Sequence, residues 1–172
     1  LTDFGGAGNA GAFIKGVAMN TVFRAALAAV FTLALPAVAS AACPSYAVSG
    51  APLAYDAEQV WTAQSTQVVA GGDIDLGQCG DMPGNGYVVE NPDFTLQYDD
   101  LGMGRALELR VSGSCDTVLL VNSASGEWLF NDDTNGSDPA IRIPAAPSGQ
   151  YDIWVGTFGP ETCDAQLSVE SF

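Results

Sequence analysis

Residues 115–156 read CDTVLLVNSASGEWLFNDDTNGSDPAIRIPAAPSGQYDIWVG, and the periodicity of this stretch decides the fold class. Thr117 to Val121 is a continuous β-branched and apolar run, too short for a helix and suited to a strand covered on both faces. Trp128 and Phe130 share parity after the Ser123–Gly126 turn, and Ile141 and Ile143 flank Arg142. Tyr151, Ile153 and Val155 alternate with Asp152 and Trp154. Working outward, Phe94, Leu96 and Tyr98 alternate, then Leu107, Leu109 and Val111, and finally Leu167 and Val169. The Asp99–Gly104 stretch turns the chain between the first two of these sets. Period-2 runs at this spacing, punctuated by Gly and Pro, predict an all-β protein: an antiparallel β-sandwich or jelly roll.

Residues 43–91 carry a weaker signal. Gln67–Ala70, Asp73–Leu76 and Tyr87–Val89 are strand candidates, and Tyr55–Trp61 is the one helical candidate. This region is expected to be a β-rich elaboration at 43–91, set against a sandwich at 92–172.

The N-terminal stretch has a different logic. Met19–Arg24 reads as a short n-region, Ala25–Leu35 as an apolar h-region, and Ala37–Ala41 as small-x-small cleavage sites, so 19–42 is expected to be a cleavable signal peptide. Residues 1–18 precede Met19 and read as an over-extended start. Cys43 follows the signal directly, but Ser40-Ala41-Ala42 lacks the Leu of a lipoprotein site, which makes lipidation the minor alternative. The expected location is secreted or periplasmic, with no membrane span in the mature chain.

The whole chain has 5 basic and 20 acidic residues and no His. Setting aside Asp3, Lys15 and Arg24 leaves 3 basic and 19 acidic residues, a net charge of −16 with no Lys. Such a surface has no footprint for nucleic acid. Cys43, Cys79, Cys115 and Cys163 remain, an even set that predicts two disulfides. Three pairings are open; Cys43–Cys79 and Cys115–Cys163 are favoured because each brackets a continuous stretch.

The turn at 131–138, NDDTNGSD, holds the densest set of oxygen ligands. Asn131, Asp133 and Asn135, followed by Gly136, repeat the first half of a calcium-loop pattern, but Arg142 stands where the bidentate Glu belongs and the flanks read as strands. Two readings therefore stand: a solvated turn built from ordinary turn residues, and a Ca²⁺ site on a β scaffold. The order of Asp116-Thr117-Val118-Leu119, Gly126, Asn131-Asp132-Asp133, Ile141 and Ser148-Gly149-Gln150-Tyr151 resembles the bacterial pre-peptidase C-terminal (PPC) domain over about residues 94–170. The resemblance implies a secreted jelly-roll module of the kind found beside extracellular proteases, some of whose relatives bind calcium. Asn131, Asp132 and Asp133 match that family's N-D-D and Asp116 its first Asp; Asp138 is added here as a further oxygen donor.

Without His there is no Ser-His-Asp or Cys-His site, and no G-x-S-x-G elbow is present. The function expected is a non-catalytic binding or accessory module, possessing a protein or carbohydrate ligand. The alternatives are a secreted peptidase or glycosidase working through carboxylates, and an adhesion or inhibitor protein. Of the three tryptophans, Trp128 is expected in the core, whereas Trp154 faces away from Tyr151, Ile153 and Val155 and is a candidate for an exposed binding surface, as is Trp61.

Overall fold

A computed structural model describes residues 42–172; residues 1–41, and with them nearly all of the expected signal segment, lie outside the described residues. Two sheets face each other. The first is built from β1 (Ala51–Asp56), β3 (Ile74–Asp75), β4 (Tyr87–Val88), β5 (Phe94–Asp99), β7 (Thr117–Asn122), β8 (Trp128–Asn131) and β10 (Gly149–Thr157). The second runs in the order β2 (Gln64–Ala70), β11 (Cys163–Ser171), β6 (Leu107–Gly113), β9 (Ala140–Ile143), antiparallel throughout.

The alternation read in the sequence is what fills the space between the sheets. Phe94, Leu96 and Tyr98 of β5, Leu107, Leu109 and Val111 of β6, and Leu167 and Val169 of β11 are buried there. Tyr151, Ile153 and Val155 of β10 join them, with Leu119 and Val121 of β7. A second apolar cluster lies on the other side of the first sheet, where Val118 and Leu120 of β7 and Trp154 of β10 are covered by Leu76 and Val88. So β7 is buried along its whole length, as the unbroken apolar run at 117–121 requires.

The N-terminal region departs from expectation. Residues 43–91 are only in part a layer set against the sandwich. β1 lies parallel to β5 in register Ala51↔Phe94 to Asp56↔Asp99, and β2 is a full strand of the second sheet. The described residues form one compact unit with no boundary at 92. The parallel pair is also an exception to an otherwise antiparallel fold; the connection from β1 to β5 runs through the whole of β2–β4, the long crossover that parallel pairing needs. The helical candidate at 55–61 is the end of β1 followed by a single 3-10 turn, Gln59–Trp61.

The stretch from 72 to 90, with Cys43–Gly50 ahead of it, forms the cover over the outer cluster. Met82, Ile74 and Val89 pack onto it, Tyr46 stacks on Trp128 at 6.0 Å, and Trp128 on Trp154 at 5.2 Å. Gly84 permits the closest part of this cover: a Cβ there would meet the Phe130 ring at 2.4 Å. One disulfide, Cys43–Cys79, joins the two halves of the cover; the other, Cys115–Cys163, joins the β6–β7 connection to the start of β11. These are the pairings that bracketing favours.

β10 shows how the cover is built into the sheet. β5 pairs with residues 149–153 of β10 and β4 meets it again at Thr157. In the gap between them, Val155 has no strand on that side, while β7 pairs with it on the other. Its N–H donates instead to Asp93 Oδ2 at 2.7 Å, and its carbonyl accepts from Gly71 N–H at 3.0 Å. Each buried backbone group is thereby satisfied.

Replacing Cys43 and Cys79 together by Ser is expected to cost roughly 2–4 kcal/mol, the range for closing a loop of this size. Because that bond holds the cover over Trp128 and Trp154, the same variant should show a red-shifted tryptophan emission before global unfolding, measured by fluorescence along a urea titration. Loss of Cys115–Cys163 should destabilise without that early shift.

Candidate functional site

The acidic turn is tied together from inside. Gly136, at φ +67°, and Ser137 form the tip of a small hairpin closed by Asn135 N–H donating to the Asp138 carbonyl at 3.0 Å. Asn131 Oδ1 accepts from the Thr134 hydroxyl at 2.7 Å and from Ala140 N–H at 3.0 Å. Asp138 Oδ1 accepts from Gly113 N–H at 3.1 Å, and Thr117 N–H donates to the Ser137 carbonyl at 3.1 Å. The turn therefore links the end of β6, the start of β7, the end of β8 and the start of β9.

The five oxygen-bearing residues singled out in the sequence are only partly brought together. Asn131 and Asp138 are drawn inward onto protein donors. Asp132 and Asp133 have no hydrogen-bond donor among the described residues, and Asp133 is exposed. Asp116 lines a different cleft, of about 250 Å³, with Thr157 and Glu161. Among the described residues no three acidic side chains are grouped to hold a metal ion. A pre-formed calcium cage does not fit this arrangement. A cation would have to gather Asp132 and Asp133 toward Asp138, whose Oδ1 is engaged by Gly113 N–H.

Beneath the turn, on the outer face of the second sheet, is a cleft of about 320 Å³ lined by Glu108, Arg110, Thr134, Asn135, Asp138 and Ser168. Its charges are matched within the protein. Arg110 bridges Glu108 and Glu170, both at 2.6 Å, and Arg142 reaches Glu108 at 3.2 Å. Burial raises the Glu108 pKa, but the hydrogen bonds from Arg110 and Arg142 outweigh it and hold the carboxyl below its ordinary value.

The tryptophans sort differently from expectation. Trp154 does face away from the main core, but it is fully buried under the cover, so it is no binding surface. A third layer, contributed by a region with little periodicity, covers the face on which parity places Trp154. Trp128 lies at the edge of that layer, not between the sheets.

Trp61 is 58% exposed and marks one end of the sandwich. The Arg105 guanidinium sits over its ring at 4.3 Å and donates to the Ala57 carbonyl at 3.1 Å. Glu58, Trp61 and Arg105 line a shallow cleft of about 270 Å³. Arg105 also ends the β5–β6 loop, which carries Leu101 and Met103, 45% and 40% exposed. This loop is held stiffly. Asp99 Oδ1 accepts from Leu101 N–H at 3.0 Å, and Asp100 accepts from Gly104 N–H at 3.1 Å and Arg105 N–H at 3.3 Å. The Ser148 hydroxyl accepts from Asp100 N–H at 2.8 Å, anchoring the loop to the stretch before β10. Leu101 is held at φ +55°, a conformation that costs a residue with a Cβ about 1–2 kcal/mol. In the sequence, the pair Asp99-Asp100 looks like plain turn chemistry; the exposed apolar pair that it presents is visible only once the loop is folded.

The largest perturbed carboxylate is Asp93. Burial pushes its pKa up to about 6, against the N–H donated by Val155. Its neighbour along the sheet, Asp152, is buried and engaged at both oxygens, by Thr95 Oγ1 at 2.7 Å and Gln150 Nε2 at 2.8 Å. Both carboxylates are occupied in joining strands.

Comparison with protein families and with curated proteins returns no match. Among solved structures, the chain is similar to the pre-peptidase C-terminal domain of a collagenase from Bacillus anthracis, at 13% identity, over 72% of this chain and 98% of that one, with a TM-score of 0.41. It is also similar to PliG of Aeromonas hydrophila, a periplasmic inhibitor of g-type lysozyme, at 14% identity, over 72% of this chain and 100% of that one, with a TM-score of 0.35. The first is a domain of the family that the sequence motifs resemble. The two-sheet architecture itself rests on the strand pairings above.

The Asp93 carboxyl makes stability depend on pH. Its folded pKa of about 6 lies above the ordinary 3.8, so the folded state binds the extra proton. The contribution is fully present below the lower value and is lost as pH rises through the upper one. Between about pH 5 and pH 7.5 the protein should lose about 1–2 kcal/mol from this group, after allowance for partial solvent screening. Urea denaturation across that range checks it: Asp93→Asn, whose amide oxygen can still accept from Val155, should flatten the profile by at least half.

Proposed function

We propose that the chain is an exported, non-catalytic binding module that presents the loop at 99–105 and Trp61 to a protein partner, in an accessory or inhibitory role. The observation that supports this most directly is Leu101: an apolar side chain, exposed, on a loop whose hydrogen bonds hold it in a left-handed backbone conformation. Gly would occupy that conformation without strain, and strained backbone of this kind clusters at ligand-binding loops; Ala145, at φ +46°, is the other non-Gly residue so placed among the described residues, but its side chain is a single methyl. Met103 and Trp61 extend the apolar surface, and the acidic surroundings favour a partner with positive charge at the rim. Two disulfides suit an oxidising compartment, and among the described residues no helix is long and apolar enough to cross a membrane.

Leu101→Gly separates binding from folding. It should raise stability by about 1 kcal/mol, because the backbone conformation suits Gly, while weakening capture of the partner. The measurement is affinity capture from the extracellular fraction of the source cells, wild type against Leu101→Gly and Trp61→Ala, alongside thermal melts. A protein retained equally by all three forms would place binding elsewhere. A hydrolase is the competing class; turnover of a peptide or glycan substrate that is lost on changing a single Asp or Glu would replace the present reading.

Calcium forms the second part of the proposal. A cation at the 131–138 turn would be held by Asn131, Asp132, Asp133 and Asp138, while the fifth sequence-predicted ligand, Asp116, lines a different cleft. The adjacent carboxylates of Asp132 and Asp133, without protein donors among the described residues, support it. Because Asn131 Oδ1 is already held by the Thr134 hydroxyl and Ala140 N–H, affinity is expected at the weak end of the extracellular range, roughly 10⁻³ M. At a tenfold excess over that value, the stabilisation is about 1.4 kcal/mol. A melting temperature unchanged between millimolar calcium and chelator would leave an acidic turn and nothing more.

A further inference from the structure

Five asparagines lie among the described residues. An asparagine side chain is open to attack by the backbone nitrogen of the residue that follows it. The attack needs an N–H on that nitrogen, room for the peptide plane to turn, and a side-chain amide that is not tied up. Four of the five asparagines fail on one of these counts. Asn91 precedes Pro92, which has no N–H to lose. Asn122 is 8% exposed, and its amide donates to the Gly126 carbonyl at 3.4 Å. Asn131 Oδ1 accepts from the Thr134 hydroxyl and from Ala140 N–H. Asn85 is followed by Gly86, the most permissive neighbour, but that glycine is buried at φ +129°. The Gly86 carbonyl accepts from Leu76 N–H at 2.9 Å, and a Cβ on Gly86 would stand 2.8 Å from the Thr157 carbonyl. Gly86 is thus wedged against β10 and has no room to turn.

Asn135 meets all three conditions. Gly136 follows it at the exposed hairpin tip, and a Cβ on Gly136 would meet nothing within 4 Å. Among the described residues neither Gly136 N–H nor the Asn135 side-chain amide has a hydrogen-bond partner. The peptide plane between the two is held by Asp138 N–H donating to the Asn135 carbonyl at 3.4 Å, the longest bond in the hairpin. We propose that Asn135 is a self-modification site, converted in the folded protein by the Gly136 backbone and solvent water, without an enzyme. The Gly136 nitrogen bonds to Asn135 Cγ, and its proton leaves with the side-chain nitrogen as ammonia, closing a cyclic imide. Water then adds to either imide carbonyl. Opening at Cγ restores the main chain and leaves an aspartate. Opening at the backbone carbonyl frees that group as the carboxylate and routes the chain through Cγ, as an isoaspartate. Either product puts a negative charge where a neutral amide now lines the cleft with Glu108, Arg110 and Asp138. Arg110 is already shared between Glu108 and Glu170, so the added charge finds no free cation there and makes the cleft more strongly negative.

The two Asn-Gly bonds test this within one molecule, because they share the attacking residue and differ in its surroundings. The purified protein is incubated at physiological temperature and mildly alkaline pH, where the amide proton is lost more readily. Conversion at each asparagine is then followed by proteolysis and fragment mass spectrometry. Each rate is divided by that of the same bond in a chain reduced and unfolded in guanidinium chloride, which removes the effect of local sequence. On that scale Asn135 should exceed Asn85 by about tenfold or more, because Asn85 has to wait for the cover to open. The more acidic species that accumulates on anion exchange should vanish in Asn135→Gln, whose longer side chain closes the ring poorly. It should persist in Asn85→Gln, with melts confirming that both variants fold, and its aspartate form should elute with Asn135→Asp. An amide that survives at Asn135 in the native protein while the unfolded chain loses it overturns the inference, since the hairpin then protects the bond. Equal relative rates at the two sites overturn it as well, because the fold would then select neither.

Discussion

The central strands β7 and β10 are buried on both faces, and that constraint organises the molecule. A two-layer sandwich covers one face of each sheet. Here Val118, Leu120 and Trp154 stand on the outer face of the first sheet and need a cover of their own. The chain supplies it from the 43–50 and 72–90 segments, closes it with Cys43–Cys79, and carries the intervening strands into both sheets. Burying a residue the size of Trp is among the largest single contributions available to a domain of this size. The cover is accordingly a third layer of the fold, although its own sequence has little regular pattern.

This explains what was legible in the sequence. The sandwich from Phe94 onward is written largely in period 2, because its strands other than β7 and β10 have one face on the main core and another that is free to differ, and β10 keeps Asp152 on its outer face. β7 is written as a continuous run for the complementary reason. The N-terminal half gave less because its residues answer to several constraints at once. Leu76 and Val88 serve the cover, whereas the β1 strand is set by its parallel register with β5. Turn chemistry was legible only as chemistry. The oxygens of NDDTNGSD were visible, but whether they converge depends on where Gly113 and Ala140 place their N–H groups. Leu101 was hidden more fully, since nothing in the string Asp-Asp-Leu-Gly-Met-Gly says that the non-glycine residue takes the left-handed backbone.

Acidic surfaces are often treated as uniform, but the distribution here is selective. The cations of the described region are placed at particular points: Arg110 between Glu108 and Glu170, Arg142 on Glu108 and over the Phe172 ring, and Arg105 over Trp61. The carboxylates are left in excess nearly everywhere else. The 99–105 loop tip, with its apolar side chains, stands out against that background.

The same scarcity of cations limits where a protease could cut. From Cys43 to the last residue there is no lysine, and the chain offers Arg105, Arg110 and Arg142 alone to endoproteases that cut after a basic side chain. The bonds after Arg110 and Arg142 lie within β6 and β9, and the residue after Arg105 is hydrogen-bonded to the C-terminal Phe172. An enzyme of the trypsin type must draw its target into an extended, unpaired form, so none of these bonds is open to it while the sheets hold.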